Sequence, residues 1–167
     1  MAYRSERYAG LRVLSAAVAC SLLLELAPSA EAYCAYVANN ESDFISVIDT
    51  ATNTVTATIG GAGLPFNQPG SPALAPNARF LYVANRGSLD RVPGNTVSVI
   101  ATATYTLAAT IELAAGSGPA SVGITPNGAF AYVANQFADT VSVIDTARAL
   151  ADPSTAVIKT IPVAHTQ

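Results

Sequence analysis

The chain runs to 167 residues, 51% of them hydrophobic and 11% charged, with a net charge of −3. So low a charge content excludes a disordered chain. The scatter of its few Lys and Arg excludes nucleic acid or an anionic membrane surface as partner. One histidine and two cysteines cannot supply the three or four convergent ligands of a zinc site, and no C-x-x-C-H offers haem attachment. No cofactor is expected.

In chain order, the first feature is a leader. Arg4, Arg7 and Arg12 precede an apolar run from Leu14 to Leu24, and Ala30-Glu31-Ala32 supplies a small-residue cleavage site. Basic, apolar and A-x-A segments in that order read as a secretory signal over residues 1–32, cut after Ala32. The product is then periplasmic, cell-surface or extracellular. Glu25 argues against a membrane span, which needs about 20 uninterrupted apolar residues. With Cys20 removed, Cys34 is expected to stand alone, leaving no disulfide framework. Tyr33 is too bulky for lipid attachment at Cys34.

The rest divides by its own repetition into residues 33–70, 71–117 and 118–167. Each unit carries one phrase: Ala35-Tyr-Val-Ala-Asn39, Leu81-Tyr-Val-Ala-Asn85 and Ala131-Tyr-Val-Ala-Asn135. A second run follows each phrase: Asp43-Phe-Ile-Ser-Val-Ile-Asp, Asn95-Thr-Val-Ser-Val-Ile-Ala and Asp139-Thr-Val-Ser-Val-Ile-Asp. A third run ends in Thr-Ile at Ile59, Ile111 and Ile161. Before the second and third phrases stands a further segment, from Pro72 and from Pro119. That predicts four short antiparallel strands per unit at a period near 50 residues, the pattern of β-propeller blades.

Turn chemistry agrees. Pro126-Asn127-Gly128 suits a tight turn, and Pro76-Asn77-Ala78 at the same place implies that positive φ is not needed there. Asp43, Asn95 and Asp139 are expected to start the third strand by bonding their own following backbone. The second and third strands are apolar on both sides, as strands covered on both faces are. The fourth alternates, with Tyr105, Leu107, Ala109, Ile111 and Leu113 predicted on one side. Pro162 suits an outer edge.

Together, Tyr-Val-Ala-Asn, Val-Ser-Val-Ile-Asp-Thr, Thr-Ile and Pro-Asn-Gly resemble the YVTN family of β-propeller repeats over residues 35–163. The resemblance implies an all-β, exported propeller of seven or eight blades without general catalytic activity. The length departs from it: three strands precede Pro72 and four lie in each later unit. Closed propellers use about 4 to 8 blades. The expectation is therefore a fragment of a longer product, or copies that self-associate to cover open blade faces.

The polar residues read mostly as structure. His165 belongs to a solvated tail. Asp49 and Asp145 precede Thr-Ala turns, and copy two has Ala101 there. Ser46, Ser98 and Ser142 lack a partner base, and Tyr36, Tyr82 and Tyr132 are predicted to pack between blades. Loop length is more informative. Between phrase Asn and third-strand Ser, copies one and three have six residues and copy two has twelve. The link from Ile59 to Pro72 is also long. Both emerge on one rim of an up-down-up-down blade, whereas residues 147–155 lie on the other. Phe66, Asn67, Gln68, Arg86, Asp90 and Arg91 are the candidate contacts for an unknown protein or surface ligand. The expected function is a non-catalytic interaction scaffold. The alternative is a fragment of a lactonase-like or haem-reductase-like propeller whose active site lies in absent blades.

Overall fold

Three antiparallel sheets follow one another along the chain, in a computed structural model that describes residues 33–61, 64–88 and 93–163. The leader, Cys20, Asp90, Arg91 and His165 lie outside the described residues. The first sheet holds β1 (Cys34–Asn39), β2 (Phe44–Asp49) and β3 (Thr54–Gly60). The second holds β4 (Ala73–Leu74), β5 (Phe80–Gly87), β6 (Pro93–Ala101) and β7 (Thr106–Glu112). The third holds β8 (Pro119–Ile124), β9 (Phe130–Asn135), β10 (Thr140–Asp145) and β11 (Val157–Pro162). In every sheet the strands are ordered as they occur in sequence. This is the blade arrangement that the repeats predict. A short helix, α1 (Thr146–Ala151), interrupts the β10–β11 turn, its amides capped by the Asp145 carboxylate. No helix among the described residues is long and apolar enough to cross a membrane.

Repetition in sequence is repetition in register. Tyr36 lies opposite Val47, Tyr82 opposite Val99 and Tyr132 opposite Val143. The threonine after each second run bonds the backbone just ahead of each phrase. Thr50 Oγ1 donates to the Tyr33 carbonyl, Thr102 Oγ1 to that of Ala78 and Thr146 Oγ1 to that of Gly128.

The structure corrects several sequence expectations. A bulge recurs at Val47/Ile48, Val99/Ile100 and Val143/Ile144. Val99 faces Ala109 while Ile100 faces Leu107, so Ala108 is the extra residue. A bulge rotates the strand beyond it. Leu107 and Tyr105 thus leave the side of Ala109, Ile111 and Leu113, and Tyr105 packs toward the first sheet instead. The counterpart of Pro119 is Pro69 rather than Pro72. Pro69 bridges Asn85 as Pro119 pairs with Asn135, so the long link is less extended than the Pro72 alignment implies. The expected local bond at Asp43 is replaced by a distant one, its carboxylate accepting from Gln68 N at 2.7 Å. Cys34, expected to be unpaired, is disulfide-bonded.

Ala78 overturns the reading of its turn. It adopts φ 56°, alongside Gly128 at φ 72°. A left-handed conformation costs an L-residue roughly 1–2 kcal/mol, whereas glycine adopts it freely. Ala78 is exposed, so removing its methyl group sacrifices little burial. Ala78→Gly should therefore stabilise the chain by about 0.5–1 kcal/mol, after the greater freedom of unfolded glycine is subtracted. Urea unfolding checks this, and a destabilised variant would refute it.

Every sheet has a leading face, toward the sheet before it, and a trailing face, toward the next. Alternation along each phrase assigns them. Between the first two sheets, Ile45, Val47 and Ile59 meet Leu81, Val83 and Ile100, with Phe66 sealing the junction. Between the second and third, Tyr82, Val97, Val99 and Ile111 meet Ala131, Val133 and Ile144. Ala149 of α1 and Ala156 complete that second core. Each fully buried aliphatic side chain contributes roughly 1.5–3 kcal/mol, and the cores thus lie between the sheets.

Candidate functional site

Each phrase ends in an asparagine on the leading face. Asn85 Nδ2 lies 2.9 Å from both Thr96 Oγ1 and Ser98 Oγ. Asn135 Nδ2 lies 3.0 Å from Thr140 Oγ1 and 2.8 Å from Ser142 Oγ. In the first sheet Phe44 replaces the threonine, and Asn39 Nδ2 donates to Ser46 Oγ at 2.8 Å and to the Val37 carbonyl at 3.5 Å. The recurrent serines are thus partners of an amide. Asp49 accepts from Ala51 N and Thr52 N and is likewise engaged in its turn.

These asparagines stand at one end of the sheets, where the β5–β6 hairpin and the inter-sheet links meet. Arg86 N donates to the Gln68 carbonyl at 3.3 Å and Gly87 N to the Asn67 carbonyl at 3.0 Å. One sheet later, Gln136 N donates to the Gly118 carbonyl and Phe137 N to that of Ser117. The structure therefore brings Asn67, Gln68 and Arg86 together. The Phe66 ring turns inward and is buried against Ile45 and Val83, so it packs rather than faces solvent. Part of the insertion after Asn85 is regular: β5 runs to Gly87, which pairs with Pro93.

The same rim gathers side-chain atoms that sequence reasoning missed. Among the described residues, Asn85 Oδ1, Arg86 Nε, Ser117 Oγ and Asn135 Oδ1 are buried without a hydrogen-bond partner. The Arg86 guanidinium lies 5.9 Å from the centroid of the Phe137 ring, within cation–π range. Two of these four atoms could have been found from the asparagine that closes each phrase. Ser117 carries no such signal. No group of three or more His, Cys, Asp or Glu that could hold a metal occurs among the described residues.

Tyrosines in the cores titrate late. Burial, followed by the neighbouring Tyr105, pushes Tyr36 up from 10.0 to about 12. Burial also raises Tyr82 and Tyr105. Because the fold favours the neutral phenol, its stabilisation is full below pH of about 10 and is lost as pH rises toward about 12. Thermal melts should fall through that window, and Tyr36→Phe should flatten the fall. A melt independent of pH there would contradict this.

The family described as "Lactonase, 7-bladed beta-propeller" matches residues 20–161. The chain belongs to that family. Among solved structures, this lactonase-family chain is similar to a Kuenenia stuttgartiensis hydrazine synthase at 27% identity and TM-score 0.58. The match covers 70% of this chain and 30% of that one. It is also similar to the dihydro-haem d1 dehydrogenase NirN in complex with DHE, at 16% identity and TM-score 0.57. There the match covers 81% of this chain and 25% of that one, a likeness of fold alone. The lactonase-family segment thus spans less than a third of either structure. A search of curated proteins finds no match.

Proposed function

We propose that this chain is a propeller segment of YVTN type, exported and non-catalytic, whose rim at Gln68, Arg86, Ser117 and Phe137 serves as an interaction scaffold for a protein or surface ligand. One observation carries this reading. Asn85 Oδ1, Arg86 Nε, Ser117 Oγ and Asn135 Oδ1 lie partnerless and buried at that rim, although the amide nitrogens of the same two asparagines bond within their own sheets. A buried polar group left without a partner costs about 1–3 kcal/mol, and a ligand that meets it recovers that cost. The experiment compares immobilised wild type with an Arg86→Ala/Gln68→Ala double variant in an envelope extract. Wild type should retain a component that the variant releases. Equal retention by both, or none by either, counts against the rim.

The family match favours a second reading, a piece of a propeller enzyme that acts on lactones or carries a cofactor in blades beyond this segment. Lactone hydrolysis by the purified chain, or downstream codons encoding further blades with clustered His or acidic residues, would support it.

A further inference from the structure

We propose that Asn127 is a modification site, where the side-chain amide is converted to aspartate and isoaspartate by attack of the Gly128 backbone nitrogen, with release of ammonia.

Asn127-Gly128 is the only Asn-Gly pair in the chain. Glycine has no Cβ, so its backbone nitrogen is the least shielded nucleophile that can follow an asparagine, and its backbone adapts to ring closure. Asn127 is exposed, in the turn that joins β8 to β9. Its Oδ1 accepts from Thr125 Oγ1 at 2.7 Å and from Ala129 N at 3.1 Å. Two donors on a carbonyl oxygen polarise the carbon beside it and stabilise the negative charge that builds on the oxygen during addition. The second sheet holds the comparison. In its equivalent turn Asn77 Oδ1 accepts from Arg79 N at 3.0 Å, but Ala75 stands where Thr125 does and Ala78 where Gly128 does. Asn77 thus lacks the hydroxyl donor, and a Cβ stands beside the nitrogen that would attack.

The reaction balances with water alone. Gly128 N, its proton taken by hydroxide, bonds to Asn127 Cγ as the carbonyl electron pair moves onto Oδ1. Return of that pair breaks the Cγ–Nδ2 bond, and the nitrogen leaves as ammonia with a proton from water. A second water opens the resulting succinimide. Cleavage at the side-chain carbonyl gives aspartate and cleavage at the main-chain carbonyl gives isoaspartate; nothing is oxidised or reduced. In the closed turn Gly128 N donates to the Thr125 carbonyl at 2.8 Å. Attack therefore follows local opening of this bond, an event of low cost in an exposed turn. Isoaspartate adds a methylene to the main chain between two paired strands. Thr146 Oγ1, at the start of α1, donates to the Gly128 carbonyl at 2.6 Å, and that bond should loosen with the turn.

The test incubates the purified chain for days in mildly alkaline buffer. Trypsin then separates Asn77 from Asn127 by cutting at Arg79, and mass spectrometry with fragmentation distinguishes amide, aspartate and isoaspartate. Asn127 should become both acids while Asn77 keeps its amide. Gly128→Ala, which the Ala78 turn shows to be compatible with the fold, should slow the loss about tenfold or more, a barrier difference of about 1.4 kcal/mol. Ala78→Gly should make Asn77 reactive, yet slower than Asn127, because the threonine donor is missing there. Three results would overturn the proposal: an Asn127 amide intact at the end of the incubation; equal rates at Asn127 and Asn77 in the wild type; or a Gly128→Ala variant that reacts as fast as wild type.

Discussion

Gly94→Ala is expected to destabilise the chain by about 3 kcal/mol and to loosen the rim before the inter-sheet cores. A Cβ at Gly94 would overlap the Asn85 carbonyl oxygen and lie 2.6 Å from the Arg86 carbonyl carbon. Both neighbours are backbone, so no rotamer change relieves the contact. Overpacking in a rigid site typically costs about 1–3 kcal/mol, and a backbone collision lies at the upper end. The displacement would not stay local. Gly94 carries a carbonyl that accepts from Gly118 N at 2.9 Å, which ties the β5–β6 hairpin to the link entering the third sheet. Arg86, Ser117 and Phe137 should therefore shift together. Urea unfolding gives the energy, and hydrogen exchange at Arg86, Gly87 and Gly118 gives the location. A variant within about 0.5 kcal/mol of wild type, with those amides still protected, would mean that the hairpin is open enough for a side chain.

The tie between rim and sheet also shows what could be read from the sequence. Tyr36, Tyr82 and Tyr132 repeat in one phrase, and a phrase fixes strand, register and face together, because side chains alternate with a period of two. The four-stranded antiparallel units followed from that. Residues on one rim followed from hairpin parity, which is why Asn67, Gln68 and Arg86 meet. What was not legible depends on contacts between distant segments. Asp43 bonds Gln68 instead of its own turn. Pro69 is the true counterpart of Pro119, but β4 is only Ala73–Leu74, so the link carries few strand residues to align. Alternation in β7 failed at the bulge, since an extra residue leaves no mark in an Ala-Ala pair. Phe66 looked like a loop contact because composition does not say which way a ring turns. The positive φ of Ala78 was hidden because alanine gives no signal for it; a neighbouring sheet with Gly128 was the available clue.

Tyr82→Ala should cost about 3–5 kcal/mol, the range for deleting a buried aromatic side chain. Tyr82 is 1% exposed and packs with Ala75, Val97, Val99, Ala131 and Val133. Those neighbours are small and all but Ala75 stand on hydrogen-bonded strands, so they cannot collapse into the space that the ring vacates. The lost dispersion contacts and the cavity therefore both count. Small domains have total stabilities of about 5–15 kcal/mol, so the variant should be largely unfolded in moderate urea or lose the junction between the second and third sheets. Tyr82→Phe separates packing from the hydroxyl. Burial already raises the Tyr82 pKa, and phenylalanine keeps the ring while removing the group that burial disfavours when charged. It should stay within about 1 kcal/mol of wild type near neutral pH and lose less stability above pH of about 10. Should alanine and phenylalanine instead prove equally mild, the ring would not be a keystone between sheets. The packing account of this repeat, in which each unit is held chiefly by its neighbour, would then be wrong.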